Sequence, residues 1–225
     1  MIDKRLPSAV IFDMDGLLVD TEPMHGESYA RTFAEYGLEL GLEEYRQAVT
    51  IGKMGARELY LAIGGNESKW HEVSVIKAKE FGRIFENNGY LMPGVLNLLE
   101  SLKQANIPAA IATSAGRRSL GIVMDKFNLV PYFDHLVTWN DVEAQKPDPD
   151  VFIEAARRIG VRNEDCVALE DSPRGVLAAY RAGMKCIAVP TSSSADGDFS
   201  LATLVVNSLE EVTIDRLRQL FTPSV

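Results

Sequence analysis

Val10-Ile11-Phe12-Asp13-Met14-Asp15-Gly16 joins a short β-branched apolar run to two carboxylates and a glycine. Ser8 to Phe12 predicts a buried strand, and Gly16 predicts the turn that ends it. Side chains two apart leave a strand on one face, so Asp13 and Asp15 are placed to converge on one ligand. Two anions at that spacing repel unless a cation lies between them, and a hard divalent ion such as Mg²⁺ suits oxygen donors. Acidic pairs also occur in loops and helix caps, so the doublet alone leaves a structural role open.

The chain has 225 residues, enough for one sizeable domain or one domain carrying a smaller insertion. A formal net charge of -9 argues against sequence-independent nucleic-acid binding, which relies on Lys and Arg neutralising phosphates. Small anionic substrates remain compatible, because a local cation reverses the potential inside a pocket. No leader precedes Pro7 and no apolar run approaches a membrane span, so a soluble cytoplasmic protein is expected. Cys166 and Cys186 lie in short apolar segments without Cys-x-x-Cys spacing or a nearby histidine, and read as buried free thiols rather than a disulfide or metal site.

Between residues 24 and 88 the strand signal almost vanishes. Tyr29, Phe33 and Tyr36 form one apolar stripe at helical spacing; Trp70, Val73, Ile76, Phe81, Ile84 and Phe85 form another. Glycines divide the region into roughly four helical pieces, so a small helical unit is expected, with the stripes as its packed interior. From Met92-Pro93-Gly94 onward, helix and strand alternate. Helices are expected from Pro93, at about 117 to 128, at 149 to 159 and at 173 to 182, with strands at Ile107 to Ala112, Leu136 to Thr138, 165 to 169 and 186 to 189. Repeated β-α units imply an α/β fold, a doubly wound parallel sheet covered on both faces. The first strand needs that sheet for partners. The expected organisation is therefore a core of residues 1–19 and 91–225, with a four-helix cap, residues 20–90, inserted after the first strand.

Parallel sheets bind ligands at the carboxyl ends of their strands. Following each strand to its end yields Asp13 and Asp15, then Thr113 and Ser114, then Glu170 and Asp171, with Lys146 in a polar loop nearby. This set suits phosphoryl transfer. A phosphomonoester dianion repels an anionic nucleophile, so a metal and a lysine must offset the charge. A carboxylate can then attack phosphorus, while a second acid protonates the departing alcohol and later deprotonates water.

The chain resembles the haloacid dehalogenase-like (HAD) hydrolases of the helical-cap subgroup, which includes β-phosphoglucomutase and small sugar-phosphate phosphatases. The likeness covers nearly the whole chain. It is carried by Asp13 to Pro23, Ala112-Thr113-Ser114, Lys146-Pro147-Asp148-Pro149, and Leu169 to Gly175. The resemblance implies a Rossmann-like HAD core with Asp13 as nucleophile, Asp15 as general acid/base, Thr113 holding the phosphoryl group and Lys146 neutralising it. Mg²⁺ would be held by Asp13, the main-chain carbonyl of Asp15, Asp171, and Glu170 directly or through water. Relatives that remove halogens lack the second aspartate, so Asp15 points to the phosphoryl-transfer branch. Likeness to the mutases further implies a cis Lys146-Pro147 bond. His25 falls where some relatives place a histidine near the active site; a packed helix residue is the other reading. Lys53 and Arg57 lie in a stretch resembling the substrate-inspecting loop, with plain solvation as the alternative.

The expected function is a Mg²⁺-dependent phosphatase, monomeric, acting on a small phosphorylated metabolite such as a sugar phosphate or nucleoside-type monophosphate, without nucleic-acid or membrane partners. A phosphomutase is the alternative, though Gly52-Lys53-Met54-Gly55 departs from the mutase Gly-x-Ser-Arg run. A non-catalytic binding protein would be expected to have lost one of the core acids or Lys146, and none is lost.

Overall fold

The computed structural model describes residues 5–51 and 54–221, and within it the chain divides into two compact units, Met1–Val19 with Leu91–Val225, and Asp20–Tyr90. In the first unit six strands, β1 (Ala9–Phe12), β2 (Ala109–Ala112), β3 (His135–Val137), β4 (Cys166–Glu170), β5 (Lys185–Ala188) and β6 (Leu204–Val205), form one parallel sheet in the order β3-β2-β1-β4-β5-β6. The order reverses between β1 and β4. A doubly wound sheet opens a crevice at such a reversal, at the carboxyl ends of its strands.

The strand sequences AVIF, AAIA and CVALE are apolar at every position except the last glutamate, and all of these residues are buried. This continuous pattern belongs to strands covered on both faces. Ala9 and Ile11 join a core cluster with Val151, Phe152, Ala155, Val176 and Ala179. Those partners come from the helix Asp150–Ile159 and the helix Pro173–Arg181. Phe12, the residue after Ile11, sends its ring edgewise against Phe133, with centroids 5.6 Å apart. Cys166 and Cys186 are buried free thiols, as the sequence suggests.

The first unit's helices are completed by Val95–Gln104, Arg117–Phe127 and Ile214–Gln219. The helix expected at Pro93 starts at Val95 because Gly94, its N-cap, has φ +89°, and a methyl there would strike the backbone of Leu209 and Glu210. The strand expected from Ile107 starts at Ala109, after Pro108, whose nitrogen cannot donate to a ladder. No helix among the described residues is long and apolar enough to cross a membrane.

Among the described residues the second unit holds four α-helices, α1 (Glu22–Ala34), α2 (Leu42–Tyr45), α3 (Ala56–Ala62) and α4 (Trp70–Asn88), with a π-helical stretch at Arg46–Ile51. Phe33, Leu40, Tyr45, Leu59, Tyr60 and Val73 form its own apolar cluster. The chain leaves the first unit after Val19 and re-enters at Leu91, and these two residues pair in an antiparallel bridge. The remaining helices are named in chain order: α5 (Val95–Gln104), α6 (Arg117–Phe127), α7 (Asp150–Ile159), α8 (Pro173–Arg181) and α9 (Ile214–Gln219).

Phe12 is fully buried beside the site-bearing end of β1. Phe12→Ala should lower stability by about 3–5 kcal/mol, read as a shifted urea midpoint, because a large buried ring leaves a cavity that cannot fully collapse.

Candidate active site

The sheet ladder continues one residue past the strands and fixes the functional backbone there. Asp13 N–H donates to the Leu169 carbonyl (3.0 Å), Thr113 N–H to the Val137 carbonyl (3.0 Å), and Val189 N–H to the Glu170 carbonyl (2.7 Å). Asp13, Thr113 and Glu170 are thereby held on adjacent strand ends. Gly16 then turns the chain at φ +84°, and a methyl there would overlap the Asp171 carboxylate, so both backbone conformation and close approach require glycine.

Lys146 lies at the centre. Its ammonium donates to Asp13 Oδ1 at 2.5 Å, Glu170 Oε1 at 2.6 Å and the Ala112 carbonyl at 2.8 Å, using all three N–H bonds, and it sits 4.7 Å from the Phe152 ring centroid. Asp13, Lys146 and Glu170 are all buried. The second Glu170 oxygen accepts from Ser172 Oγ at 3.1 Å and from the N–H groups of Asp171 and Ser172 at 3.2 and 3.3 Å. A cavity of about 280 Å³ opens over this cluster, lined by Asp13, Asp15, Thr113, Ser114, Gln145, Lys146, Asp171, Ser172 and Arg174. The Lys146-Pro147 bond is cis.

The acids form a group that can hold a further cation. Carboxylate oxygens of Asp13, Glu170 and Asp171 lie within 4.8 Å of one another, so they can share one ion, and a single ammonium serves the group. Burial pushes the Asp13 carboxyl up to about 8; Lys146 opposes the rise, while Glu170 and Asp15 add to it. Burial likewise raises Asp171 well above the usual carboxylate range, and Glu170 and Asp13 reinforce it. Burial alone would lower Lys146, but attraction to Asp13 and Glu170 outweighs it and keeps the lysine charged. A hard divalent ion fits this all-oxygen donor set. Asp15 is not one of these three acids, but it lines the cavity.

Of the expected core residues, the cavity therefore gathers Asp13, Asp15, Thr113, Ser114, Lys146 and Asp171, with Glu170 beneath Lys146. The three residues expected from the cap belong to the other unit. His25 stacks on Phe81, with centroids 4.3 Å apart, and its Nδ1 lies 2.6 Å from Lys77 Nζ. Burial, then the Lys77 charge, depress its pKa to about 3, so the ring is neutral and Nδ1 accepts. Arg57 pairs with Glu67 at the surface. Lys53 lies outside the described residues.

Two further contributors fall within Leu169 to Gly175, a stretch in which the sequence assigns roles only to Glu170 and Asp171. Gly175, in the first turn of α8, leaves the space that the Glu170 carboxylate fills. A glycine where alanine would favour the helix was the available signal. Arg174 lines the cavity while donating to the Lys146 carbonyl, and no spacing rule announces a contact between positions so far apart in sequence.

Two outcomes follow from this geometry. Because burial raises the Asp13 carboxyl to about 8 and a metal must displace its proton, Mg²⁺ affinity by calorimetry should tighten as pH rises from about 6 to about 8, by up to roughly tenfold per pH unit for that proton. Proton release should appear in paired buffers of different ionisation enthalpy; a flat profile would contradict the raised acids. Gly175→Ala should evict Glu170 from its seat and weaken Mg²⁺ binding by roughly 10-fold or more, with the fold retained by circular dichroism.

Known proteins resemble this chain in sequence and in fold. The family model for haloacid dehalogenase-like hydrolases matches residues 10–189. A phosphorylated carbohydrates phosphatase of Thermotoga maritima is 34% identical over 196 residues, covering 84% of this chain and 88% of that protein. Hexitol phosphatase B of Escherichia coli O157:H7 is 30% identical, covering 91% of this chain and 94% of its own. The crystal structure of CbbY from Rhodobacter sphaeroides in complex with phosphate superposes with a TM-score of 0.81 at 28% identity, over 92% of this chain and 96% of that one. The matched span holds the acids at the strand ends and the buried lysine, and this chain belongs to the haloacid dehalogenase-like hydrolase family.

Proposed function

We propose that the protein is a Mg²⁺-dependent phosphatase that hydrolyses a small phosphorylated sugar or related phosphomonoester through an aspartyl-phosphate on Asp13. The buried Asp13–Lys146–Glu170 cluster, opening into a cavity that also presents Asp15, Thr113 and Ser114, carries this reading. The phosphatase names of the Thermotoga and Escherichia relatives, and the phosphate in CbbY, favour the substrate class.

Asp13 and Asp171 would hold the ion together with the Asp15 main-chain carbonyl, and Glu170, whose oxygens already serve Lys146 and Ser172, would contribute through water. Bound there, Mg²⁺ supplies the positive charge that lets a carboxylate approach a phosphate dianion. Thr113 holds a phosphoryl oxygen and Ser114 its neighbour. Lys146, with every N–H already committed, acts as a fixed buried charge rather than as a hydrogen-bond donor to the substrate. Asp13 attacks phosphorus as the ester P–O bond breaks, and Asp15 protonates the departing alkoxide. Asp15, now a base, takes a proton from water. That water attacks phosphorus, releases inorganic phosphate and restores Asp13.

Phosphate release from a panel of sugar phosphates and nucleoside monophosphates tests the reading. The wild-type protein with Mg²⁺ should turn over at least one of them, and Asp13→Asn should lose roughly 10³-fold or more in kcat. Release that survives Asp13→Asn removes the nucleophile assignment, and accumulation of an isomerised sugar phosphate without phosphate release replaces the phosphatase with a mutase.

A further inference from the structure

The loop that carries Lys146 is short of backbone partners at its centre. On one side the Asp150 carboxylate at the start of α7 accepts from Ala144 N–H at 3.1 Å, and Asp148 N–H closes a turn onto the Gln145 carbonyl at 3.0 Å. Among the described residues, no backbone donor reaches the carbonyls of Lys146 or Pro147. Both are met by side chains of α8. Arg174 donates a guanidinium N–H to the Lys146 carbonyl, and Arg181 donates one to the Pro147 carbonyl at 3.0 Å and to Asp148 Oδ1 at 3.4 Å. Positions seven apart lie on the same face of a helix, so one face of α8 delivers two guanidinium groups to two successive carbonyls. The same helix begins directly after Glu170 and Asp171, and its N-cap Ser172 bonds Glu170.

We propose that Arg174 and Arg181 form a two-point clamp through which α8 sets the position of Lys146, making both arginines positioning residues for phosphoryl transfer. The clamp ties two parts of the site that are distant in sequence. The acids enter from the end of β4, the lysine enters from the loop before α7, and α8, which extends from the acids, grips the backbone of the lysine. Lys146 Nζ must meet three acceptors at 2.5 to 2.8 Å, so a displaced backbone breaks contacts that the side chain cannot recover by rotation. Arg174 is the more demanding member, because its carbonyl belongs to Lys146 itself and because it also lines the cavity. Arg181 acts one residue further on and is partly solvated, with its side chain 45% exposed.

This inference rests on the proposed phosphatase activity for its kinetic reading, and a second readout stands without it. Arg174→Ala, Arg181→Ala, Arg174→Lys and the double alanine variant are compared in the intact protein with p-nitrophenyl phosphate and Mg²⁺, alongside amide hydrogen exchange of the segment 143–149. Arg174→Ala should lower kcat by roughly 10–100-fold with KM changed less than about threefold, as expected when a catalytic group is displaced by a fraction of an ångström to about 1 Å. Exchange in the segment should speed up. Arg181→Ala should show the same pattern more weakly, Arg174→Lys should recover part of kcat by returning one donor, and the double variant should fall short of the product of the single effects. A rise in KM at unchanged kcat would make Arg174 a substrate contact and overturn the clamp. Unchanged exchange in both single variants would also overturn it. If the wild-type protein turns over no phosphomonoester, the phosphatase reading fails and the exchange data alone decide the clamp. Should Arg174→Ala fail to fold, Arg181→Ala and Arg174→Lys carry the same comparison.

Discussion

Everything at the strand ends is organised around one buried ammonium. Lys146 shares its three N–H bonds among Asp13, Glu170 and the Ala112 carbonyl, joining β1, β4 and β2 at a single atom. A lysine taken out of water is costly, and its attraction to two carboxylates offsets that cost only because every donor is satisfied. The balance also runs the other way. Removing one member of such a buried pair typically costs about 3–5 kcal/mol, because the remaining charge has nowhere to go. The lysine is therefore a structural keystone of the crevice.

One ammonium does not neutralise the group. Asp13, Glu170 and Asp171 outnumber it, and burial resists the ionisation of Asp13 and Asp171. One unit of positive charge is built into the site, and a divalent cation bound there would add the charge that lets the two resisting acids ionise. That imbalance explains how a protein of net charge -9 can receive an anionic ester: the potential that matters belongs to a few ångströms of cavity, not to the whole surface. Glycines complete the arrangement by their lack of side chains. Gly16 and Gly175 vacate the volumes that the Asp171 and Glu170 carboxylates occupy.

The sheet was legible because strands buried on both faces write themselves as unbroken apolar runs, and because each such run here ends in a residue capable of chemistry. Asp13, Thr113 and Glu170 could be placed from that rule alone. The helical region was legible from stripes that include Phe33, Val73 and Phe85, all of them buried. What could not be read were contacts that depend on packing between distant segments: the Gly94 approach to Leu209 that delays α5, the seat that Gly175 leaves for Glu170, and the reach of Arg174 and Arg181 across to the lysine loop. The flat stacking of His25 on Phe81 belongs to the same category, since neither residue carries a local mark of its partner.

The register of β1 sets a constraint on how the molecule can come together. Ala9 pairs with Cys166 on one side, and Val10 pairs with Ala109 on the other. The strand bearing Asp13 is separated from its flanking strands by the entire segment Asp20–Tyr90, and β4 follows later still. The inserted segment is contiguous and has its own apolar cluster, so its contacts can close while β1 still waits. Such non-local parallel pairing carries a high entropic cost before any contact rewards it. A chain interrupted before residue 166 therefore leaves one edge of that apolar strand unpaired and lacks the Glu170 acceptor of Lys146.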